Sequence, residues 1–236
     1  MPGIKFHSNN CNFAKPMKEL IITADGSHTL YVPEIDEHYH SIHGAVQESR
    51  FIFIKNGFEA CKAAPLNILE IGFGTGLNAF LTAIKSIEGE RRVNFTTVEK
   101  YPLPLNITEA LNYHTYTGEG TAELFRLIHN AKWNSDAIIC KNFTLRKTEA
   151  DVTQNIPGGN YDLIYFDAFG PDKQPEMWSE DVFRRIASLT NEDGILVTYS
   201  AKGQVKRNLK ECGFEVTLLP GPPGKRQIIR ADKKAN

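Results

Sequence analysis

The segment Leu66–Asn78 constrains the fold of this chain more than any other stretch of the sequence. It opens with an almost continuous apolar run, Leu66–Ile71, which is typical of a buried parallel strand. Gly72, Gly74 and Gly76 follow at alternate positions, and a helical pattern begins directly after them. Glycines at such a turn adopt backbone angles that a Cβ would forbid, and they let a ligand approach the main chain closely. The segment therefore predicts a strand, a tight turn and a helix, either around a ligand or as a plain strand-to-helix connection.

The remainder of the chain alternates between strand-like and helix-like segments. Repeated alternation predicts an α/β fold with a doubly wound, mostly parallel sheet, in which ligands bind at the carboxyl ends of the strands. Two late segments, 214–218 and 227–230, are predicted to pair as an antiparallel edge. The predicted strands are 66–71, 93–98, 143–147, 161–167 and 194–200, and the predicted helices lie near 76–88, 103–112, 119–131, 175–190 and 202–212.

Residues 1–57 are predicted to form an N-terminal extension that contributes to a substrate face, and residues 58–236 to form the ligand-binding domain. Two β-like segments of the extension flank the turn-rich link Ala24–Ser27, which predicts a β-hairpin. A histidine-rich loop and a helix over 45–55 follow. The histidines lack a carboxylate or cysteine partner at ligand spacing, so the loop is interpreted as facing the substrate, or as ordinary surface, and no metal site is predicted. These histidines are His38, His40 and His43.

The composition is that of a soluble globular protein, with 41% hydrophobic and 23% charged residues. No apolar run approaches the roughly eighteen residues that a membrane span needs, and the N-terminus lacks an apolar signal region. A cytoplasmic protein without membrane contact is therefore expected. The cysteines are scattered without a C-x-x-C pair, which predicts reduced thiols rather than disulfides or a zinc site. They are Cys11, Cys61, Cys140 and Cys212.

Charge is distributed unevenly along the chain, although the formal net charge is only −1. From Lys202 to the end there are nine Lys or Arg against three Asp or Glu, a net charge of +6, which leaves −7 on the preceding 201 residues. A basic segment on an acidic body predicts either a face that contacts phosphates or a solvated terminal charge cluster.

The order of residues in the glycine segment narrows the choice of ligand. Glu70 and the three glycines form Glu-x-Gly-x-Gly-x-Gly, which resembles the first motif of S-adenosylmethionine-dependent methyltransferases more than the nicotinamide motif G-x-G-x-x-G. Glu99 lies 23 residues after Gly76, where a carboxylate accepts hydrogen bonds from ribose hydroxyls, although a solvated side chain would also fit there. Asp151 follows the third strand, where it is predicted to bind the adenine amine, as in class I methyltransferases, to cap a helix, or to do both.

The fourth strand ends in a second informative stretch, Phe166–Trp178. Asp167 is predicted to emerge beside the cofactor, with Phe169 offering an aromatic face and Pro171 turning the chain across the pocket. An alkyl amine with a pKa of about 10 is mostly protonated at neutral pH, and only the neutral amine is a nucleophile. A carboxylate within hydrogen-bonding reach can orient such an amine and receive its proton. The alternative role for Asp167 is to cap the following turn.

Two stretches, Glu70–Asn78 and Phe166–Trp178, closely resemble the methyltransferase domain of a bacterial family that modifies wobble uridine, the tRNA 5-methylaminomethyl-2-thiouridine methyltransferases. The resemblance covers roughly residues 39 to 231. Further agreement lies in Gln47–Phe53, Val98–Pro102, Ser200–Leu209 and Gly221–Arg226.

The resemblance implies a Rossmann-like class I methyltransferase that N-methylates the 5-aminomethyl group of wobble (2-thio)uridine to 5-methylaminomethyl-(2-thio)uridine, with S-adenosylmethionine as donor. It implies that Asp167 is the catalytic acid near the target amine and that Phe169 and Pro171 shape the substrate pocket. The glycines would hold the methionine end of the cofactor, Glu99 the ribose and Asp151 the adenine. The full set of implied cofactor-binding residues is Glu70, Gly72, Gly74, Gly76, Asn78, Glu99, Asp151 and Asp167.

The familiar form of this family is fused to a flavin-dependent oxidase that removes a carboxymethyl group. Because the chain ends at Asn236, without room for that domain, the protein is expected to bind no FAD and to methylate a pre-made aminomethyl uridine. A separate oxidase or other aminomethyl-uridine-forming enzymes would then act in trans. Since a methyl group on a sulfonium is already activated, positioning supplies most of the catalysis and no metal is expected.

Transfer RNA is the expected partner, held by its anticodon arm. Phosphate contacts would position the RNA, whereas the flipped and stacked uridine would be the base that the protein recognises. Phe169 and Tyr39 are candidate stacking residues, while Trp178 is assigned to the core. The candidate phosphate contacts are Lys202, Lys206, Arg207, Lys225 and Arg226.

Three other functions compete with this interpretation. An aminopropyltransferase such as spermidine synthase also uses a strand-end aspartate for an amine, but Phe169–Pro171 and the basic tail argue against a polyamine substrate. A non-catalytic S-adenosylmethionine-binding module would have no activity for Asp167 to support. A nicotinamide dehydrogenase fits the glycine spacing least well.

Overall fold

An eight-stranded, mostly parallel sheet forms the centre of the computed structural model, which describes residues 18–234. A small antiparallel sheet precedes it in the chain. The strands are β1 (Glu19–Ile22), β2 (His28–Val32), β3 (Glu37–His38), β4 (Leu66–Ile71), β5 (Val93–Glu99), β6 (Ser135–Cys140), β7 (Phe143–Glu149), β8 (Tyr161–Phe166), β9 (Thr190–Thr198), β10 (Phe214–Pro220) and β11 (Gln227–Lys233).

Helices cover both faces of the large sheet and bury the apolar sides of its strands in two clusters. The α-helices are α1 (Ala45–Ser49), α2 (Leu77–Glu88), α3 (Leu105–Thr108), α4 (Thr121–Asn130), α5 (Glu180–Leu189) and α6 (Gly203–Glu211). A π-helical segment, Arg50–Phe58, continues α1, and two 3-10 turns cover Tyr113–Tyr116 and Pro175–Trp178. Within residues 18–234, no helix combines the length and apolarity needed to span a bilayer.

The strand order of the large sheet is β10-β11-β9-β8-β4-β5-β7-β6. The five strands from β9 to β7 run parallel, whereas β11 and β6 run antiparallel to their neighbours β9 and β7. The order reverses at β4, because the chain first builds β5 and β7 on one side and then β8 and β9 on the other. This arrangement confirms the predicted doubly wound fold, including the antiparallel pair β10 and β11.

The register of the three central strands sets the position of the site. Ile71 at the end of β4 lies opposite Val98 of β5 and Phe166 of β8. The Gly72 N–H donates to the Val98 carbonyl and the Asp167 N–H donates to the Ile71 carbonyl, both at 2.9 Å. Because the three strands end level, the residues that follow them face one crevice, as expected at a point where the strand order reverses.

The small sheet confirms the predicted hairpin, since β1 and β2 pair antiparallel across the Ala24–Ser27 link. The strand β3 adds to β2 and was absent from the prediction. The loop after β3 is joined to the glycine turn by a hydrogen bond of 2.6 Å between His40 Nε2 and Thr75 Oγ1. Asp25 Oδ2 accepts the Gln47 N–H at 3.0 Å, which ties the hairpin to the first turn of α1.

Several elements differ from the prediction, among them the helix predicted near 175–190, which is a 3-10 turn over Pro175–Trp178 followed by α5. The helix predicted at 103–112 is reduced to α3, because prolines at 102 and 104 oppose helical geometry before it and a 3-10 turn follows. The helix predicted to end at 55 continues to Phe58 in π-helical form. The strand β6 was missed, because it is an edge strand whose Ile138 is exposed and whose pairing with β7 is decided by tertiary contact.

Candidate active site

A cavity of about 800 Å³ opens at the carboxyl ends of β4, β5 and β8. Its volume lies within the range that small-molecule and cofactor sites occupy in proteins. The glycine turn, the segments after β5, β7 and β8, the loop around Tyr39 and the late turn around Lys225 all contribute to its walls. Distant parts of the chain therefore meet at the carboxyl ends of the strands, near the point where the strand order reverses, which is where ligands bind in sheets of this kind.

The glycine turn presents bare backbone to this cavity. Gly72 has a φ of 93° and Gly74 a φ of 49°, in the region that favours glycine. A Cβ on Gly72 would lie 2.6 Å from the Asp167 carbonyl oxygen, and one on Gly74 would lie 2.9 Å from the Tyr39 ring. Neither position has room for a side chain, so the turn forms a cradle that only glycine can line.

Glu99 stands at the end of β5 and lines the cavity. Its Oε2 accepts the Gly74 N–H at 3.1 Å and its Oε1 accepts the Tyr101 N–H at 2.8 Å. A carboxylate offers about four lone-pair sites, so two acceptor sites remain free for a ligand.

Asp151 lines the cavity from the segment after β7. Its Oδ1 accepts from the Thr153 N–H at 2.9 Å and the Thr153 hydroxyl at 2.7 Å, while Oδ2 pairs with Lys100 Nζ at 2.8 Å. Lys100 and then Thr153 lower the pKa of the Asp151 carboxyl to about 2. The side chain caps a turn rather than a helix, and one lone-pair site remains on Oδ2.

Asp167 lies at the floor of the cavity, immediately after β8. Its Oδ2 accepts a hydrogen bond of 2.8 Å from the Asn78 side-chain amide. Removal from bulk water raises the pKa of the Asp167 carboxyl to about 7, against the opposing effect of the Asn78 bond. Asp167 contributes to the cavity lining, and a carboxyl with a pKa of about 7 can exchange a proton with a bound molecule at neutral pH.

Glu70 and Asn78 lie behind the cavity rather than in its lining. Glu70 is fully buried and its Oε2 accepts a 2.7 Å bond from the Thr97 hydroxyl. Burial raises the pKa of Glu70 well above its usual value. The predicted site residues outside the lining are Glu70, Gly76, Asn78, Lys206 and Arg207.

Aromatic side chains form one wall of the cavity. The rings of Tyr39 and Phe169 meet edge to face with 5.0 Å between their centroids, and Pro171 lies beside them in the lining. Trp178 is 3% exposed and its Nε1 donates to the Phe169 carbonyl at 2.7 Å, so it belongs to the core, as predicted. The Tyr199 hydroxyl donates to the Ala168 carbonyl at 2.8 Å and also lines the cavity, which the sequence did not reveal.

The predicted basic residues divide into two groups. Lys202, Lys225 and Arg226 line the cavity mouth, where Lys202 pairs with Asp172 and Lys225 lies 4.7 Å over the Tyr199 ring. The remaining two, Lys206 and Arg207, lie on α6 outside the lining, and Arg207 is exposed.

Sequence reasoning also assigned no role to Glu48, a buried carboxylate of α1 that lines the cavity. The only signal for it was its place in Gln47–Phe53, one of the stretches that carry the family resemblance. Glu48 Oε1 lies 3.2 Å from Lys225 Nζ. Because residue 48 and residue 225 are far apart in sequence, this pair becomes visible only in the folded chain.

The histidine-rich loop meets the cavity through His38 and His40. His40 is buried, and burial lowers its pKa to about 4, so it is neutral at physiological pH. Over residues 18–234 no three metal-ligating side chains come together. The cysteines within that range, Cys61, Cys140 and Cys212, are free thiols, and Cys11 lies outside the described residues.

Comparison with known proteins places the chain among methyltransferases. The family model described as S-adenosyl-L-methionine-dependent methyltransferase matches residues 123–234. The tRNA 5-methylaminomethyl-2-thiouridine biosynthesis bifunctional protein MnmC of Cupriavidus metallidurans is 31% identical over 230 residues, which cover 90% of this chain and 33% of that protein. The chain thus spans about a third of the length of the curated relatives that it matches.

Two solved structures extend the comparison. The crystal structure of MnmC2 from Aquifex aeolicus superposes with a TM-score of 0.74 and 27% identity, covering 93% of this chain and 71% of that one. Spermidine synthase from Thermotoga maritima shares the fold, with a TM-score of 0.61, 12% identity and coverage of 98% and 72%. By sequence and by fold, the chain is therefore similar to S-adenosyl-L-methionine-dependent methyltransferases, including these MnmC relatives.

Proposed function

We propose that the chain transfers a methyl group from S-adenosylmethionine to the 5-aminomethyl nitrogen of wobble (2-thio)uridine in tRNA, giving 5-methylaminomethyl-(2-thio)uridine. The observation that carries this proposal is the Asp167 carboxyl at the cavity floor, whose pKa is raised to about 7 by removal from bulk water. A carboxyl with these properties suits an amine acceptor, because the amine must lose a proton when it is methylated.

The residues around the cavity fit S-adenosylmethionine. Gly72 and Gly74 would hold its methionine end, where added side chains would collide with the protein, while Gly76 lies outside the lining and precedes α2. Glu99 keeps two free acceptor sites, the number that a ribose diol requires, and Asp151 keeps one for the adenine amine. When bound, S-adenosylmethionine supplies a methyl group whose S–C bond breaks as the amine forms its N–C bond, leaving a thioether.

The chain contributes position and proton transfer to this reaction. The Asn78 amide fixes one oxygen of Asp167, which leaves the other oxygen to accept a proton from the substrate nitrogen. The rings of Tyr39 and Phe169 would flank the uracil base and keep water from the reacting nitrogen. The reaction involves no change of oxidation state in the uridine, so it needs no FAD, and the sulfonium methyl group is already activated, so it needs no metal. Enzymes acting in trans, such as an oxidase, would supply the aminomethyl group.

The rate of methyl transfer is expected to depend on the ionisation of Asp167. Because the pKa of this carboxyl is about 7, kcat/KM should rise about tenfold per pH unit below pH 7 and level off above it. A profile measured from pH 5 to pH 9 with under-modified tRNA tests this. A rate that stays constant between pH 5 and pH 7 would contradict Asp167 as the proton acceptor.

The exposed side of α6 is the proposed contact for anticodon-arm phosphates, with Arg226 and Lys202 nearer the cavity mouth. The double variant Lys206→Gln/Arg207→Gln should weaken tRNA binding and reduce the slope of log K against log salt by about one for each residue removed. Titration at several salt concentrations measures this slope. Lys141→Gln, an exposed position beside the opposite sheet edge, is the matched control and should leave the slope unchanged.

Direct assay tests the proposed reaction. Protein incubated with S-adenosylmethionine and tRNA that carries aminomethyl uridine should produce methylaminomethyl uridine, detected by nucleoside mass spectrometry. Failure to methylate this tRNA would overturn the proposal. Formation of a polyamine from decarboxylated S-adenosylmethionine and a diamine would point to an aminopropyltransferase instead.

A further inference from the structure

A second carboxylate lines the cavity that holds Asp167. Glu48 is 8% exposed, and its Oε2 accepts the Ser41 N–H at 2.9 Å. Its Oε1 is 3.2 Å from Lys225 Nζ. The two groups form an ion pair, but their contact lacks the geometry of a hydrogen bond. Among residues 18–234, nothing donates a hydrogen bond to Glu48 Oε1. A buried acceptor with charge balance but without a donor is suited to receive a donor from a ligand.

Glu48 and Asp167 line the same cavity, and Tyr199 connects their surroundings: Lys225, the partner of Glu48, lies 4.7 Å over the Tyr199 ring, and the Tyr199 hydroxyl donates to the carbonyl of Ala168, the neighbour of Asp167. The charge of Glu48 adds to the effect of burial in raising the pKa of Asp167, and the charge of Lys225 opposes it. Both carboxylates also act on Tyr199, whose pKa is raised by burial and then by Asp167, Glu37 and Glu48. The three groups Asp167, Glu48 and Lys225 therefore surround one part of the cavity.

A neutral primary amine has two N–H donors and one lone pair. If each N–H is accepted by one carboxylate, the lone pair is confined to the remaining direction, which is the requirement for attack on a fixed methyl donor. The bound ammonium ion first gives one proton to Asp167, which leaves the neutral amine; after one transfer the product leaves as a methylammonium ion and Asp167 returns its proton to water. Before a second transfer the product would again have to give a proton to Asp167, and the neutral secondary amine would keep a single N–H. A second transfer would place the new methyl group against a charged carboxylate oxygen, which would lose its hydrogen-bond donor and be desolvated.

We propose that Glu48 is the second acceptor for the substrate amine and that it limits the enzyme to one methyl transfer per uridine. This inference rests on the proposed function and names the residue that determines its product. Lys225 balances the charge of Glu48, and Ser41 holds its other oxygen in place.

Two variants of Glu48 test the inference. Glu48→Leu removes the acceptor and leaves an apolar surface for a methyl group. Glu48→Gln keeps an oxygen for the Ser41 N–H and replaces Oε1 with an amide NH2, which cannot accept from the amine. Glu59→Gln, an exposed position directly after the π-helical segment that continues α1, is the control.

Both Glu48 variants should slow the first methylation about 10- to 100-fold, as expected for the loss of one hydrogen bond to a charged group. Glu48→Leu should also convert pre-formed methylaminomethyl tRNA to the dimethyl product and raise the ratio of dimethyl to monomethyl nucleoside at least about tenfold. Wild type and Glu59→Gln should stop at one methyl. Mass spectrometry of digested tRNA measures both rates and products.

The outcomes separate this inference from the proposed function. If wild type methylates aminomethyl tRNA and both Glu48 variants retain its rate and its single product, the role of Glu48 is refuted while the function stands. If Glu48→Leu does not fold, an unchanged rate of the first methylation in Glu48→Gln is sufficient to refute the role of Glu48. A wild-type protein without activity on this tRNA overturns both.

Discussion

Replacing Asp167 with asparagine is expected to abolish methyl transfer and, above pH 7, to make the folded protein more stable. The amide can still accept the hydrogen bond from Asn78, so the local geometry is retained. It cannot take a proton from the amine, and loss of such a group typically costs a factor of about 10² to 10⁴ in rate. Binding of S-adenosylmethionine, measured by calorimetry, should remain close to that of wild type.

The gain in stability follows from the raised pKa. The unfolded chain ionises this carboxyl near its ordinary pKa of 3.8, whereas the folded chain holds it protonated until about pH 7. The folded state therefore loses stability as pH rises from about 4 to about 7, and the full cost is present above pH 7. A shift of about three units sets an upper bound of about 4 kcal/mol, which cavity water reduces.

Thermal unfolding of wild type and Asp167→Asn at several pH values measures this difference. The two melting temperatures should be similar near pH 4 and should diverge between pH 4 and pH 7, with the variant melting higher. Asp136→Asn is the control, because Asp136 is exposed and its ion pair with Arg146 contributes little. A variant that melts below wild type at pH 8 would mean that the Asp167 carboxylate stabilises the fold.

Local sequence patterns were sufficient to predict the central strands. The bounds of β4 match the predicted strand, and β5 and β8 match to within one residue. The strands β4 and β8 are nearly continuous buried apolar runs, and β5 alternates between apolar and polar residues, so each leaves a clear signal. Edge strands carry no such signal. The strand β6 alternates only weakly between apolar and polar residues. Its formation depends on pairing with β7, which a local sequence pattern does not predict.

The site residues also divide into those that local sequence patterns could predict and those that they could not. Residues at strand ends, such as Glu99 and Asp167, were predictable because the fold fixes where strand ends lie. Contacts that join distant segments were not. The Glu48–Lys225 pair and the bond from His40 to Thr75 arise because the N-terminal extension and the late turn reach the same crevice, and no local pattern encodes that meeting.

The presence of both Asp167 and Glu48 in the cavity lowers the stability of the folded protein, so side-chain packing alone does not explain these two residues. Both carboxylates line one partly desolvated cavity and Lys225 pairs with Glu48, so Asp167 adds negative charge to the empty cavity when it ionises. A cationic amine would balance that charge on entry. The stability lost in the empty site is thus recovered as affinity for the proposed substrate class.

Replacing Gly72 with alanine is expected to disable the site and destabilise the fold together. The added Cβ would lie 2.6 Å from the Asp167 carbonyl oxygen, which is backbone and cannot rotate away. The φ of 93° is itself strained for alanine, at a cost of about 1–3 kcal/mol. Relief of the collision must move either the glycine turn or the Asp167 backbone. We therefore expect a loss of at least about 2 kcal/mol in the free energy of unfolding.

The same movement would reach the chemistry, because Gly72 belongs to the proposed cofactor cradle and Asp167 to the proton transfer. Activity should fall at least about 100-fold, as expected when reacting groups shift by about an ångström. S-adenosylmethionine should also bind more weakly. Gly158→Ala is the matched control, since a Cβ there meets open space and should change stability by no more than about 0.5 kcal/mol. If Gly72→Ala melts at the wild-type temperature and binds S-adenosylmethionine with wild-type affinity, the turn tolerates a side chain and the cradle is not built on bare backbone.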